Sequence, residues 1–340
     1  MRRRDTNDGM LLLAAPLLVS TAVLVVLPAL VAVVFAFTHY DALSPPRFAG
    51  LANFRTLWHD PLFWMAVRNS TFIGVVSVPL RVGLALGLAL LLMRQRRFSR
   101  AARIAVFLPS VVPEIAYALL WLWMLSPEYG PIGLALQATG LERHNLLLSP
   151  WGARRSIVLM GLFQIGELYI VLLAARRELP AELYELCAME GVSAFWTFRN
   201  VTLPLLIPTI IFLGARDVAW SFQATFIPAL VITKGGPEFA TLFLPLYIYQ
   251  NGFEYLRFGY ASAMTVAMFI LTGLLVGIQI ALLRRWGAGR PSGSSRGRLV
   301  RRSHLRSVRL QADFSIARPN SVRSAGVSSR HTCACASSIS

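Results

Sequence analysis

Residues 10–38 read MLLLAAPLLVSTAVLVVLPALVAVVFAFT and contain no charged side chain. About 20 apolar residues in a helix are enough to cross the hydrocarbon core of a bilayer. Three arginines precede the run, as in a secretory signal peptide, but the apolar stretch is much longer than the roughly 7–15 residues of a signal peptide's apolar region. The stretch therefore predicts a retained membrane-spanning helix.

Five further apolar runs of comparable length follow along the chain. With the first run they give six predicted spans, at about 10–38, 69–93, 103–125, 156–174, 205–231 and 261–283. The composition agrees, because 56% of the 340 residues are hydrophobic and 14% are charged, whereas roughly a quarter of the residues of a soluble domain are charged. We therefore expect an all-α integral membrane protein whose membrane domain covers residues 1–286.

The distribution of arginine predicts the orientation of the spans. Lys and Arg close to the ends of spans are enriched on the cytoplasmic side. The clusters that would share this side are Arg2–Arg4; Arg94, Arg96, Arg97, Arg100 and Arg103; Arg176 and Arg177; and Arg284 and Arg285. Six spans with both termini in the cytoplasm satisfy all four clusters, whereas Arg154 and Arg155 fall in an outer connection.

Residues 287–340 differ in composition from the rest of the chain. They are rich in Ser, Arg and Gly and lack hydrophobic periodicity, which is typical of a disordered segment. Ten arginines and one acidic residue, Asp313, give this tail about half of the net charge of +17. The tail would bind anionic lipid at the cytoplasmic leaflet, or it is the translation of a shifted reading frame. The positive charge therefore does not indicate a nucleic-acid partner.

The sequence lacks the motifs of the common catalytic and metal sites. The single lysine, Lys234, is followed by Gly235, so the chain has no P-loop to hold the phosphates of ATP. Neither His-Glu-x-x-His nor Gly-x-Ser-x-Gly occurs. Cys187, Cys333 and Cys335 are not spaced like common zinc or redox pairs. We therefore predict a non-enzymatic chain that holds no cofactor and no metal.

The connection between the fourth and fifth spans is strongly patterned. Pro180 can begin a helix without losing a needed N–H, and Glu182 and Glu185 suit the positive end of that helix. Gly191 would end the helix, and Ser193 would cap a second short one. The pattern predicts helix, turn, helix, with apolar and acidic side chains facing the cytoplasm. Such a surface suits a protein partner; a solvated acidic surface helix is the alternative.

This connection resembles the signature loop of binding-protein-dependent ABC import permeases. The family pattern is Glu-Ala-Ala, two residues, Asp-Gly, nine residues, Ile, one residue, Leu-Pro. Here Glu185, Gly191, Leu203 and Pro204 match, and the spacing is intact although the identities between them differ. The resemblance implies short coupling helices in 178–204 and an ATPase-coupling loop made of Glu182, Glu185, Leu186, Ala188, Glu190, Gly191, Val201, Leu203 and Pro204.

Three other stretches, 48–54, 233–237 and 259–263, are similar to the sugar-type permeases of the same family, so that the resemblance covers about 10–285. It implies a permease subunit in the plasma (inner) membrane of a prokaryote, forming part of the path for a sugar or related polar solute. The implied partners are a second homologous permease, two ABC ATPase subunits that hold ATP and Mg, an extracytoplasmic solute-binding protein and the lipid bilayer.

Ionisable residues inside the predicted spans are unfavourable unless they are paired or face water. Arg81, Glu114, Glu167, Arg216 and Asp217 all lie inside spans. The candidate substrate path consists of Glu167, Arg216, Asp217 and Gln223; pairing between helices is the alternative explanation of the charges.

Two other classes of membrane protein stay open. An ion-coupled secondary carrier would have inverted repeats and interrupted helices near the bilayer midplane. A structural or assembly protein would not need a fixed coupling loop, so changes at Glu185 or Gly191 would leave it working.

Overall fold

Helices make up nearly all the regular structure of residues 14–94, 99–138 and 146–288, which this computed structural model describes. The helices in chain order are α1 (Ala14–Ala36), α2 (Ala52–His59), α3 (Pro61–Arg94), α4 (Ser99–Phe107), α5 (Glu114–Met124), α6 (Pro131–Ala138), α7 (Pro150–Phe163), α8 (Gly166–Arg177), α9 (Ala181–Met189), α10 (Ala194–Thr197), α11 (Leu203–Ala224), α12 (Phe226–Pro228), α13 (Leu244–Tyr249) and α14 (Phe258–Ala288). Between α1 and α2, two short antiparallel strands, β1 (Thr38–His39) and β2 (Arg47–Phe48), pair with each other. The predicted all-α membrane fold is confirmed.

Four helices of the described residues are each long and apolar enough to cross a membrane alone: Ala14–Ala36, Pro61–Met93, Ala194–Thr233 and Phe258–Leu282. The third of these runs through α10, a π-helical turn at Phe198–Thr202, α11, α12 and a second π-helical turn at Ala229–Thr233. Two bent pairs, Ala101–Ser110 with Glu114–Met124 and Pro150–Phe163 with Gly166–Arg177, raise the number to six if each pair is one span.

The bent pairs differ from the sequence prediction, which treats 103–125 and 156–174 as continuous helices. The first pair turns by 102° and the second by 43°. Pro109 lies in a 3-10 turn after α4, and Pro113 stands at the N-cap of α5; proline has no N–H to give to a helix, which explains the first break. The second break, at Gln164, has no proline and depends on a tertiary contact.

The packed interior forms around α3, a helix of 34 residues. On one half of α3, Val78, Val82, Ala85 and Ala89 pack against buried side chains of α8 and α11. On the other half, Phe63, Ala66 and Ile73 join a second cluster with 242–247 and α14. In contrast, the most apolar windows of α1 and of α14 have no buried residue. The first and last described spans therefore leave most of their apolar surface for lipid or another protein.

The strand pair connects the end of α1 to the start of α14. The side-chain amide of Asn53 donates hydrogen bonds to Ala36 O at 2.9 Å and to Thr38 O at 2.8 Å. The backbone N–H of Gly259 donates to Tyr40 O at 3.0 Å. Only glycine fits at 259, because a Cβ there would overlap the carbonyl oxygen of Thr38. The first and last spans are thus fixed to each other at one end.

Several parts of the predicted topology lie outside the described residues. These are Arg2–Arg4, Arg96, Arg97, the start of the first span and the tail beyond Ala288. The cytoplasmic location of both termini therefore stays a prediction. Arg154, which does not follow the arginine pattern, donates hydrogen bonds to Asn69 Oδ1 at 2.9 Å and to Ala240 O at 3.0 Å. Arg154 thus holds the loop around Ala240 against α3, and this structural role explains why an arginine occurs in a connection that is predicted to lie outside the cytoplasm.

Candidate functional site

The two broken spans touch each other at their breaks. The backbone N–H of Gly166, at the start of α8, donates a hydrogen bond of 3.0 Å to Ser110 Oγ, in the turn that ends the first half of the other span. A Cβ at position 166 would lie 2.5 Å from that oxygen and 2.9 Å from the ring of Phe107. Glycine is therefore required for the breaks to meet, and the contact explains why the second span bends without a proline.

Arg81 lies beside these breaks and makes three contacts. Its Nη2 donates to the carbonyl oxygen of Gln164 at 3.2 Å, an oxygen that the break in the helix leaves free. The same nitrogen lies 3.3 Å from Asp217 Oδ1. The guanidinium carbon lies 4.1 Å from the centre of the Trp220 ring. One arginine of α3 thereby connects a broken span to α11.

The pair between Arg81 and Asp217 is deeply buried, since their side chains are 4% and 0% exposed. Hydrogen bonding around it is incomplete: Arg81 Nε and both carboxylate oxygens of Asp217 have no hydrogen-bond partner among the described residues. A buried charge is tolerated only when an opposite charge or dipole compensates its lost hydration. Each member of this pair therefore depends on the other.

Arg216, the neighbour of Asp217, points to another helix. Its Nη2 forms an ion pair with Glu167 Oε2 of α8, and the two side chains are 42% and 58% exposed. The two adjacent charges of α11 thus pair with two different helices. We call the set Arg81, Gln164, Glu167, Arg216, Asp217 and Trp220 the polar centre.

Two cavities adjoin the polar centre. The smaller, of about 30 Å³, is lined among others by Ser77, Tyr117 and Ser221, and the larger, of about 150 Å³, by Ser110, Glu114 and the exposed ion pair. Arg81, Gln164 and Trp220 line both. The smaller cavity has the size of one or two water molecules. Because these three side chains line both cavities, they form the wall between them.

The predicted path residues are only partly brought together. Glu167, Arg216 and Asp217 lie in the polar centre, in the paired arrangement that the sequence left as the alternative. Gln223 is exposed and lines neither of the two cavities. Six residues at about 100° per residue turn Gln223 to a different face of the helix from Asp217. Arg81 and Trp220, which the path prediction omitted, contribute more to the cavity walls.

The connection between α8 and α10 has the predicted helix, turn, helix form. Pro180 is the N-cap of α9, which begins with Ala181 and Glu182. Gly191 follows α9 with a φ of +64°, a backbone conformation that favours glycine. The Ser193 side chain then accepts a hydrogen bond of 3.2 Å from the backbone N–H of Trp196, capping α10.

The two short helices expose a mixed apolar and acidic surface. Leu186, Met189, Phe195 and Trp196 are 54%, 79%, 69% and 47% exposed. The carboxylates beside them are also exposed, and the set that we call the loop surface consists of Glu182, Glu185, Leu186, Met189, Glu190, Phe195 and Trp196. Exposed apolar side chains rimmed by charges are typical of an interaction site.

The other predicted coupling residues lie around the loop surface. Ala188 and Gly191 are exposed, whereas Val201, Leu203 and Pro204 are partly covered at the start of α11. The prediction therefore combines residues that a partner could touch with residues that join the loop to a span. Their coupling role stays a prediction.

A partly buried hydrogen-bond network surrounds Asp60, which directly precedes α3. The sequence prediction does not include it as a site. The hydroxyls of Tyr247 and Tyr260 both donate to Asp60 Oδ2 at 2.6 Å, and Leu62 N–H donates to Oδ1 at 2.9 Å. Partial burial alone would raise the pKa of Asp60, but these hydrogen bonds leave it below its usual value. The network adjoins a cleft of about 800 Å³ lined by His39, Asp41 and Arg257 among others. The only sequence feature that could have indicated this network is an aspartate, Asp60, shortly before the second predicted span.

Comparisons with known proteins all find membrane components of transport systems. A family model described as "Binding-protein-dependent transport system inner membrane component" matches residues 81–287. The lactose transport system permease protein LacF of Rhizobium radiobacter is 31% identical over 245 residues, which are 70% of this chain and 82% of that one. The sulfoquinovosyl glycerol transport system permease protein SmoG of Agrobacterium fabrum is 30% identical over 285 residues, or 82% and 92% of the two chains.

A solved structure has the same fold. It is that of a bacterial ABC transporter involved in the import of the acidic polysaccharide alginate, with a TM-score of 0.72 and 22% identity over 83% of this chain and 98% of that chain. A second structure of the bacterial alginate transporter, in complex with a periplasmic protein that holds an alginate pentasaccharide, has the same TM-score.

Proposed function

This chain belongs to the family of inner membrane components of binding-protein-dependent transport systems, and we propose that it moves a sugar or related polar solute through the polar centre. As a member of the family it is a permease subunit of an ABC importer and not the ATPase, as the sequence predicts.

The solute class is proposed from the relatives and from the polar centre. Relatives are named for lactose and for sulfoquinovosyl glycerol transport. Hydroxyl groups of such solutes can hydrogen-bond to the polar side chains of the larger cavity, such as Ser110 and Glu114, and their apolar ring faces can stack on an indole such as that of Trp220. In the described conformation the smaller cavity is too small for a sugar, so passage requires the wall formed by Arg81, Gln164 and Trp220 to open.

The observation that carries the coupling proposal is the unbroken helix Ala194–Thr233. It begins in the loop surface with Phe195 and Trp196, and it continues through Arg216 and Asp217 in the polar centre. At 1.5 Å per residue, the 21 residues from Trp196 to Asp217 span roughly 30 Å. A push on the loop surface would therefore move the residues of the cavity walls with the same rigid element.

The partners that would supply this push are two ATPase subunits that hold ATP and Mg. A second, homologous permease would complete the path, and an extracytoplasmic binding protein would deliver the solute. A protein cleft that receives the loop surface needs an apolar wall for Leu186 and Phe195 and donors for the exposed glutamates. No ATP or Mg site is proposed in this chain.

The test is purification of the tagged full-length chain from mildly solubilised membranes, followed by identification of the bound proteins and measurement of their ATPase activity. We expect a second permease and a P-loop ATPase to be recovered. Glu185→Arg should abolish recovery of the ATPase, because it reverses a charge in the loop surface. The matched control is Glu254→Arg, which reverses another exposed glutamate far along the chain and should leave recovery unchanged.

The same experiment can contradict the proposal. Recovery of the folded chain without any ATPase would favour a secondary carrier, a class for which the interrupted spans provide one specific observation. Recovery of the ATPase with both Glu185→Arg and Glu254→Arg would show that the ATPase does not dock on the loop surface.

A further inference from the structure

Tyr184 is the one side chain of α9 for which the described contacts reach both adjoining spans. Its ring lies under the guanidinium group of Arg176, with 3.9 Å between Cζ and the ring centre. Its hydroxyl is 3.0 Å from Thr202 Oγ1, and one of the two oxygens donates to the other. The two ends of one tyrosine therefore make two separate polar contacts.

The two contacts belong to different membrane spans. Arg176 lies in the last turn of α8, the second half of the broken span that contributes Gln164 and Glu167 to the polar centre. Thr202 is 3% exposed and lies just before α11, within the unbroken helix that carries Asp217. Tyr184 thus bridges the ends of the two spans from the helix that lies between them in the chain.

Other packing holds α9 only weakly. No residue of Ala181–Met189 is buried, and Gly191, which joins α9 to α10, can change its backbone conformation at low free-energy cost. A helix with little buried surface and a glycine at one end can move without its neighbours. The contacts of Tyr184 oppose such independent movement.

We infer that Tyr184 is a positioning residue for coupling, which fixes α9 to both spans so that movement of the loop surface becomes movement of the polar centre. This inference rests on the proposed function, because it needs a partner that moves the loop. Without the tyrosine, the partner would still bind, but the loop would flex at Gly191 and the cavity walls would respond less.

The experiment measures coupling at the polar centre without knowledge of the solute. In a background with Cys187→Ala, Cys333→Ser and Cys335→Ser, the reporter Ser77→Cys introduces a thiol into the smaller cavity. The complex with its co-purified ATPase is reconstituted in nanodiscs and treated with a small maleimide, with and without ATP and vanadate. The ratio of the two labelling rates is the response of the cavity to ATP.

We expect Tyr184→Phe, which removes only the hydroxyl, to reduce this response about fivefold. Tyr184→Ala, which also removes the ring from Arg176, should reduce it by roughly tenfold or more. Thr202→Val should equal Tyr184→Phe, and combining the two should add no further loss, since both remove the same contact. Tyr129→Ala, at an exposed tyrosine outside the loop, is the control and should keep the full response.

A purely structural role gives a different result. It would lower the yield of folded chain while leaving the labelling ratio of the surviving complex unchanged, and that outcome would overturn the inference. Additive losses for Tyr184→Phe and Thr202→Val would also overturn it. If the unaltered chain recovers no ATPase, the proposed function fails first; if it couples normally and Tyr184→Ala does too, this inference alone fails.

Discussion

The carboxylates of the polar centre and those of the loop surface lie in opposite surroundings. Asp217 is completely buried beside Arg81, whereas Glu182, Glu185 and Glu190 are exposed and have no ion-pair partner among the described residues. An exposed carboxylate stays hydrated and remains available to bind a partner protein. A buried carboxylate needs a counterion within the same chain. Substitutions should therefore affect folding in the first region and assembly in the second.

The largest effect on stability is expected from Asp217→Asn. It leaves the Arg81 guanidinium buried without a counterion, which should lower the free energy of unfolding by about 3–5 kcal/mol. Thermal unfolding of the purified chain in detergent measures the change. The double variant Arg81→Leu, Asp217→Leu removes both charges and should recover most of the loss; a double variant as unstable as Asp217→Asn would show that the pair is not the cause.

A smaller effect is expected from Gly191→Ala in the loop. A Cβ disfavours the positive φ of this residue by roughly 1–2 kcal/mol, so the turn between α9 and α10 should open locally while the spans stay folded. Hydrogen exchange should become faster in 181–197 and remain unchanged in α11. Gly83→Ala, in a helix with open space beside the glycine, is the matched control and should not accelerate exchange in 181–197.

The ion pair of Arg216 with Glu167 should contribute least at neutral pH. Its two side chains are about half exposed, so solvent screening should limit the effect of Arg216→Gln on unfolding to less than about 1 kcal/mol. A loss as large as that of Asp217→Asn would indicate that these charges are shielded from water in the membrane. Arg216 and Asp217 are both charged and adjacent in α11, so the difference between their effects on unfolding measures the contribution of burial.

Asp60, the carboxylate that directly precedes α3, extends the comparison to pH. Its pKa is below the usual value in the folded chain because tyrosine and backbone hydrogen bonds stabilise its charged form. A depressed folded pKa contributes stability above the unfolded pKa of about 4, and this stability is lost as the pH falls through the folded pKa. Asp60→Asn should flatten the acidic side of the curve of unfolding temperature against pH; an unchanged slope would contradict this.

Much of the fold could be predicted from the sequence because it depends on local signals. Apolar runs long enough for a bilayer predict the helices, and Pro180, Gly191 and Ser193 predict the form of the loop. The 43° bend at Gln164 could not be predicted, because it arises where Gly166 meets Ser110, 56 residues away. The partner of Asp217 could not be predicted either: Arg81 and Arg216 were both available, and only packing selects the first.

The joint between the ends of α1 and α14 has a consequence for how the chain is made. Tyr40 and Gly259 are about 220 residues apart, which a ribosome adding roughly 5–20 residues per second synthesises in about 10–45 s. During that interval the first span is already in the bilayer, while the residue that joins it to α14 has yet to be translated. Until then only local contacts such as those of Asn53, together with neighbouring lipid or the insertion machinery, hold α1, so this helix is inserted long before its contact with α14 can form.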